Sequence, residues 1–270
     1  MFTARQSADK KEPDAMAVIV EISEGVGLIT LDRPEARNAL DPESLIHLKD
    51  AWAELGSHKR VGAIVITGTG EAFCAGMDLK KTIPMAQAIA RGERIPDEAF
   101  AGLKAAPAAT LQLELPPQPV IAAVNGHCHG QGTDMLIATD YRIAAEEATF
   151  ALEEVEIGLF PRGNSTVYLP KQMPYAKAME LVLHVNKGGW SADKALEAML
   201  INEVVARDDV LDRALEVARR IASFPRPAVQ ETLRAMRQNF WAAGRHEAWL
   251  AGLKSADKVM AELSSRGTKG

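Results

Sequence analysis

The apolar residues near the N-terminus follow an alternating pattern that predicts a β-hairpin. Val18, Val20 and Ile22 occupy every second position, which is the period of a half-buried strand. After a turn that contains Gly25, a second apolar run returns over residues 27–31 (GLITL). We therefore expect two antiparallel strands and ordered structure from residue 17, with the polar residues 1–16 forming a frayed tail.

A helical pattern follows this hairpin. Asp41 and Pro42 are residue types that favour the N-cap and the first turn of a helix. Apolar side chains then recur on one face of the predicted helix, at Leu45, Leu48, Trp52 and Leu55. The pattern is typical of an amphipathic helix that begins at residue 42.

Two short and almost entirely apolar runs predict strands that are buried on both faces. They cover residues 61–67 (VGAIVIT) and 120–124 (VIAAV), and a glycine follows each closely. Strands and helical stretches alternate to about residue 190, and the pattern is helical from Ser191 onward. This order predicts an α/β core over residues 17–205 and a helical region over residues 206–270.

The stretch from Lys80 to Pro119 is the least regular part of the predicted core. It is rich in alanine and contains six prolines, which we expect to interrupt helices. One helix is predicted near Asp97–Lys104. Long segments between core elements often form lids or binding loops, so we expect this stretch to line a binding cleft.

Composition excludes several classes of protein. The chain has 270 residues with 47% hydrophobic and 25% charged residues, which is ordinary for a globular protein. Its formal net charge of −5 and the lack of a basic block give no electrostatic reason to expect nucleic-acid binding. There is no apolar run long enough for a membrane span and no secretory signal. Only two cysteines, Cys74 and Cys128, are present, so we expect a cytoplasmic protein without disulfides.

Three segments have the residue types of a catalytic site. The first is AFCAGMDL at residues 72–79, where small residues follow a buried strand and let backbone N–H groups approach a ligand. The alternative is a turn that needs glycine only for its shape. The second is NGHCHGQGTDM at residues 125–135, which opens a helix predicted from Thr133 to Ala138. A glycine-flanked helix start can stabilise an oxyanion, while Asp134 can also serve only to complement the helix dipole.

The third segment is FALEEVEIGLFPRG at residues 150–163, with three acids among apolar residues. A carboxyl group held in an apolar pocket has a raised pKa and can transfer protons. The alternative is an edge strand with solvated carboxylates. His127, Cys128 and His129 are potential metal ligands, but strand alternation places Cys128 opposite the histidines and no second ligand cluster exists. We therefore expect no metal site.

In this order, the segments resemble the crotonase family, also called the enoyl-CoA hydratase/isomerase family, over residues 18–263. The motifs that carry the resemblance are LITLDRPEARNAL, VITGTGEAFCAGMDLK, PVIAAVNGHCHGQGTDM and ATDYRIAAEEATFALEEVEIGLFPRGNST. The resemblance implies a spiral of ββα units followed by C-terminal helices that form trimers, which often pair into hexamers. It also implies an acyl-CoA thioester as the substrate, with coenzyme A as part of the substrate and no separate cofactor.

The resemblance further implies roles for individual residues. The backbone N–H groups of Met77 and Gln131 would polarise the thioester carbonyl, and the carboxyl groups of Asp134 and Glu154 would hold water and move protons. The positions that match the family's substrate and CoA contacts are Arg37, Ala39, Ala75, Gly76, Asp78, Leu79 and Gly130.

Several residues depart from the family pattern. Most hydratases have glutamate where this chain has Asp134, and Gln131 replaces a usual glycine. His127 and His129 are atypical near the pocket. Some double-bond isomerases of the family have aspartate at the position of Asp134, together with a further acid near the position of Arg162.

Three hypotheses follow from this pattern. The chain hydrates 2-enoyl-CoA, or it moves the double bond of an enoyl-CoA, or it binds acyl-CoA without catalysis.

Overall fold

The computed structural model describes residues 17–183 and 188–241. The predicted tail of residues 1–16 and the end of the predicted helical region, residues 242–270, lie outside the described residues. The strands in the described part are β1 (Val18–Ser23), β2 (Val26–Leu31), β3 (Ala63–Gly68), β4 (Ala72–Cys74), β5 (Val120–Val124), β6 (His127–His129), β7 (Tyr141–Ala145), β8 (Thr149–Ala151), β9 (Trp190–Ser191) and β10 (Glu203–Val205). The helices there are α1 (Pro42–Ser57), α2 (Leu79–Ala90), α3 (Asp97–Ala109), α4 (Gln131–Leu136), α5 (Ser165–Gln172), α6 (Tyr175–Leu183), α7 (Ala192–Glu197), α8 (Val210–Ala222) and α9 (Arg226–Trp241).

The strands form two sheets, and the chain passes repeatedly from one to the other. The larger sheet has the order β1-β2-β3-β5-β7-β10, and the smaller sheet has the order β4-β6-β8-β9. Three consecutive pairs, β3–β4, β5–β6 and β7–β8, place their first strand in the larger sheet and their second in the smaller one. Helices follow each pair, which confirms the predicted α/β spiral of ββα units.

The predicted hairpin and the first helix are confirmed. Strands β1 and β2 are antiparallel and turn at Glu24 and Gly25, which both have positive φ angles, as a two-residue hairpin turn requires. The Asp41 side chain accepts the Ser44 N–H and caps α1. Its predicted apolar face, Leu45, Leu48, Trp52 and Leu55, is buried.

The stretch from Lys80 to Pro119 is more helical than predicted: the helix expected near Asp97–Lys104 is present as α3, whereas α2 was not predicted. This stretch contains α2 and α3, with Pro84 and Pro107 inside the helices. Helix α3 covers α1 so closely that a methyl group on Gly102 would lie 2.4 Å from Pro42. The Trp52 indole N–H also donates to the Ala109 carbonyl over 2.9 Å. Tertiary packing therefore keeps α3 helical despite its proline.

The core lies between the two sheets and the helices that cover them. Buried residues of α8, among them Ala214, Leu215 and Ala218, belong to the same apolar cluster as β3 and β5. Within the described parts of the chain, every helix is too short or too polar to cross a bilayer. The three candidate segments lie at β4, β6 and β8 of the smaller sheet and in the turns that follow these strands.

Candidate active site

Two backbone segments lie side by side where β4 ends and α4 begins. A methyl group placed on Gly76 would lie 3.1 Å from the Gln131 amide nitrogen. The φ angle of Gly76 is +90°, a conformation that residues with a Cβ rarely adopt. Glycine at this position thus lets the chain after β4 approach the start of α4 closely.

A bridge to Leu40 sets the direction of the Met77 N–H. The Leu40 N–H donates to the Gly76 carbonyl at 2.7 Å, and the Asp78 N–H donates to the Leu40 carbonyl at 2.9 Å. In such a parallel bridge, the hydrogen bonds come from the residues on either side of Met77, and Met77 directs its own N–H away from Leu40. The bridge therefore leaves the Met77 N–H unused on the side opposite Leu40.

Neither the Met77 nor the Gln131 amide donates a hydrogen bond to another described residue. Helix α4 begins at Gln131, two residues before the predicted start at Thr133. The Gln131 N–H is thus one of the donors that a helix leaves without an internal acceptor. Two such donors beside each other can hold a carbonyl oxygen or an oxyanion.

Asp134 is fully buried one turn into α4. Its Oδ1 accepts the backbone N–H of Ser165 at 2.6 Å, which is the first N–H of α5. Its Oδ2 has no hydrogen-bond partner among the described residues. Gly163 packs against this carboxyl group so closely that a methyl group there would lie 1.9 Å from Oδ2.

Glu154 reaches the same place from the turn after β8. Its Oε1 lies 3.4 Å from the position of a methyl group on Gly130, next to the Gln131 amide. Its Oε2 is buried and has no hydrogen-bond partner in the described part of the chain. Glu153 instead contacts His129 and Glu156 is exposed, so of the three acids in this segment Glu154 is the one whose carboxyl group lies beside Gly130.

The two carboxyl groups have raised pKa values for the same main reason. Burial and, to a smaller extent, the charge of Asp134 together raise the pKa of Glu154 to about 7. Burial raises the pKa of Asp134 to about 6 against the opposing effect of hydrogen bonds from Ser165. Near neutral pH, the site can therefore offer one ionised and one protonated carboxyl group.

His127 and His129 lie on either side of buried Cys128 in β6 and belong to a hydrogen-bonded cluster. Thr149 Oγ1 lies 2.8 Å from His127 Nδ1 and 2.9 Å from His129 Nε2. His129 Nδ1 lies 3.3 Å from a carboxylate oxygen of Glu153. Burial lowers the pKa of His129, although Glu153 opposes this shift. The described residues hold no cluster of His, Cys, Asp and Glu that could bind a metal ion.

The positions that match the CoA contacts of the family lie on two adjoining loops. The Ala75 N–H donates to the Arg37 carbonyl over 3.0 Å, and the Ala39 carbonyl accepts the Arg33 guanidinium. Arg37 is exposed, and the carboxylate of Asp78 lies 3.4 Å from Arg33 Nη2. The first loop therefore carries an exposed cationic residue, Arg37, whose backbone pairs with Ala75.

Two other positions contribute less to this arrangement. Leu79 is exposed at the start of α2. Arg162 is also exposed and forms no hydrogen bond or ion pair with the two buried carboxyl groups among the described contacts.

Sequence reasoning missed two residues that hold Asp134. The Asn164 side chain donates to the Asp134 carbonyl at 2.8 Å and to the Thr110 carbonyl at 2.9 Å, while the Ser165 N–H binds the Asp134 carboxylate. Asn and Ser after a Gly are typical of a helix start, and such a start has free N–H groups that need an acceptor. This signal was present in the sequence, but it does not identify Asp134 as the acceptor.

Comparison with known proteins gives one consistent result. The family model described as enoyl-CoA hydratase/isomerase matches residues 21–263. The chain is 36% identical to an (E)-benzylidenesuccinyl-CoA hydratase of Thauera aromatica, over 82% of each chain. It is 35% identical to an enoyl-CoA hydratase of Mycobacterium tuberculosis, over 84% of this chain and 81% of the relative.

A solved structure shows the same fold. The crystal structure of an enoyl-CoA hydratase/isomerase from Xanthobacter autotrophicus Py2 superposes with a TM-score of 0.77 and 31% sequence identity. The match covers 90% of this chain and 87% of the other.

Proposed function

Because this chain belongs to the enoyl-CoA hydratase/isomerase family, we propose that it adds water across the double bond of a 2-enoyl-CoA thioester to give a 3-hydroxyacyl-CoA. The substrate supplies coenzyme A, and the proposed reaction needs no other cofactor. Two of the relatives described above are named as hydratases, which supports hydration.

In the proposed reaction, the N–H groups of Met77 and Gln131 bind the thioester oxygen. Attack on the β-carbon moves the electrons of the double bond towards this oxygen and gives an enolate. Each preorganised donor in such a site typically contributes about 3 kcal/mol to stabilising the transition state. The amides therefore make the α,β double bond electrophilic without further groups.

The two carboxyl groups divide the proton transfers. Ionised Asp134, whose carboxylate accepts the Ser165 N–H, takes a proton from water as the water oxygen bonds to the β-carbon. Protonated Glu154 then gives its proton to the α-carbon as the enolate collapses to the thioester. A proton passes from Asp134 back to Glu154 through solvent to complete the cycle.

The observation that carries this proposal is the convergence of four groups at the start of α4. The two N–H groups have no acceptor in the described part of the chain, and each carboxyl group has one buried oxygen without a partner there. A purely structural turn would satisfy these groups internally, because unpaired buried polar groups cost about 1–3 kcal/mol each.

A second candidate is double-bond isomerisation. The Ser165 N–H holds Asp134, which leaves Glu154 as the less restrained carboxyl group. A single carboxylate that removes a proton from one carbon and returns it to another would move the double bond without adding water. The exposed position of Arg162 provides no further acid to assist this reaction.

One assay distinguishes these outcomes. The protein is incubated in oxygen-18-labelled water with a panel of 2-enoyl-CoA and 3-enoyl-CoA esters of different acyl length. The masses of the products are measured by liquid chromatography and mass spectrometry. We expect a product that is one labelled water molecule heavier than the substrate, and no such product with Glu154→Gln. A product of unchanged mass and altered retention supports isomerisation, and no turnover of any ester refutes both functions.

A further inference from the structure

A charged cluster joins the two loops that carry the Leu40–Met77 bridge. Arg33 Nη1 lies 3.3 Å from the Asp41 carboxylate, and Arg33 Nη2 lies 3.4 Å from the Asp78 carboxylate. Arg33 Nη1 also donates to the Ala39 carbonyl at 2.6 Å. Asp41 directly follows Leu40 in the sequence, and Asp78 directly follows Met77. The guanidinium therefore connects the two loops immediately beside the bridge that orients the Met77 N–H.

The cluster is shielded from solvent. The exposed fractions of the side chains are 14% for Arg33, 3% for Asp41 and 13% for Asp78. Lys81 closes the cluster from the surface, with its Nζ 2.6 Å from the Asp41 carboxylate. Removal of one partner from such a buried pair leaves an uncompensated charge, which is far more disruptive than the loss of a surface pair.

The shape of arginine suits this position better than that of lysine. The two terminal nitrogens of one planar guanidinium contact two carboxylates that belong to different loops. One of these nitrogens, Nη1, also donates to the Ala39 carbonyl. A lysine ammonium is a single compact charge on a flexible stem and cannot reproduce this planar fork. The distance between the two loops is thus fixed by one rigid group.

We propose that Arg33 is a positioning residue for the reaction, which holds the Met77 N–H in line with the thioester oxygen through Asp41 and Asp78. This inference rests on the proposed function, because it assumes that the Met77 N–H binds the thioester carbonyl. A small rotation of the peptide before Met77 weakens this hydrogen bond, since hydrogen bonds lose strength steeply away from linearity.

The test compares Arg33→Gln and Arg33→Lys with Arg213→Gln. Arg213 also makes ion pairs, with Glu203 and Glu216, at 2.8 Å each, but it lies on α8 and contacts neither loop. We expect Arg33→Gln to lower kcat for the 2-enoyl-CoA at least 10-fold while KM changes less than about 3-fold. Arg33→Lys should recover only part of this loss, and Arg213→Gln should keep the wild-type kcat.

A spectroscopic measurement separates positioning from general damage to the fold. The carbon-13-labelled thioester carbonyl of a bound saturated acyl-CoA, which cannot be hydrated, is observed by difference infrared spectroscopy. In the wild type, the two donors should lower the carbonyl stretching frequency relative to the free ester. In Arg33→Gln, at least half of this shift should be lost.

The outcomes are unambiguous. The proposal is overturned if Arg33→Gln binds the saturated acyl-CoA with the wild-type carbonyl frequency, whatever its kcat. If the wild type shifts the carbonyl but hydrates no enoyl-CoA, the proposed function fails and the infrared comparison still tests Arg33. If Arg33→Gln does not fold, Asp78→Asn replaces it in the infrared experiment, because this variant keeps the shape of the side chain and removes its charge. Loss of at least half of the carbonyl shift in Asp78→Asn supports the proposal, and the wild-type frequency overturns it.

Discussion

At the scale of single residues, the account depends on two buried carboxyl groups whose surroundings differ. Asp134 is held by a backbone N–H at the start of α5, whereas Glu154 projects from a turn towards Gly130. Burial raises both pKa values, and the hydrogen bonds to Asp134 counteract this shift. In the proposed reaction, these different environments assign the role of base to Asp134 and the role of acid to Glu154.

We predict that Asp134→Asn and Glu154→Gln each lower kcat by about 100-fold or more, because general acid–base catalysis is typically worth this much. KM for the 2-enoyl-CoA should change little, since these groups act in the transition state. Steady-state kinetics with the best substrate measures both constants. Glu156→Gln, which alters an exposed acid two residues further on, is the matched control. Wild-type turnover in both buried variants would refute the assignment.

The raised pKa of Asp134 also predicts a dependence of stability on pH. The carboxyl group titrates near 3.8 in the unfolded chain and near 6 in the folded protein. The folded state therefore binds more protons in this window, and the free energy of unfolding falls as the pH rises through it.

Asp134→Asn should remove this loss of stability at high pH, because the asparagine side chain does not ionise. We expect this variant to be more stable than the wild type by about 3 kcal/mol at pH 8, with the difference disappearing below pH 4. Urea denaturation at several pH values measures the effect, and Asp50→Asn on the exposed face of α1 controls for the loss of one charge. A wild type that is the more stable protein at pH 8 would contradict the raised pKa.

At the scale of secondary structure, the site depends on how closely α4 approaches β4. A methyl group on Gly132 would lie 2.3 Å from the Cys74 carbonyl oxygen, so no larger residue fits without moving α4. Because Gln131 is the first residue of this helix, such a movement displaces its N–H from the Met77 N–H. Backbone spacing at one glycine thus sets the geometry of the proposed oxyanion site.

We predict that Gly132→Ala lowers kcat more than 10-fold and destabilises the protein by about 1–3 kcal/mol through overpacking. Gly56→Ala is the matched control, because it lies in α1 and a methyl group there makes only ordinary contacts at 3.7 Å. That variant should keep its activity and gain up to about 1 kcal/mol from helix propensity. Thermal unfolding and kinetics of the two variants provide the comparison, and equal behaviour would show that close approach is unnecessary.

The elements that the sequence predicted well are those with strong local signals. The apolar run of β5 and the Asp41 N-cap are both confirmed, because burial on two faces and capping leave clear patterns. Helix α2 was missed, and α3 was predicted only as far as Lys104, because Pro84 and Pro107 argue locally against helix. Packing of α3 on α1 outweighs that preference, and no local pattern reveals it.

The candidate site shows the same division. The glycine-rich segments around Met77 and Gln131 were recognisable from their residues and order. The contacts that support them were not, because Arg33 and Asp78 are 45 residues apart and Asp134 and Ser165 are 31 residues apart. Only the fold brings such pairs together. Likewise, the contacts of His127 and His129 with Thr149, and of His129 with Glu153, join residues about 20 positions apart.

At the scale of the whole molecule, several large apolar side chains are exposed on the described surface. Ile157, Tyr175 and Met199 are each more than half exposed. Exposed apolar residues of this size often mark protein–protein interfaces. Since the family resemblance implies trimers that often pair into hexamers, we predict that the protein forms a homotrimer or a pair of trimers. Light scattering coupled to gel filtration should give three or six chain masses, and a single chain mass at assay concentration would refute this prediction.

In the proposed complex, four groups from three segments surround one thioester. Their positions can be measured in a crystal structure of the protein with a bound saturated acyl-CoA. We expect the thioester oxygen within hydrogen-bond distance of both the Met77 and the Gln131 N–H, with the carboxyl groups of Asp134 and Glu154 facing the α- and β-carbons. A thioester oxygen bound by other donors, or acyl carbons remote from both carboxyl groups, would contradict it.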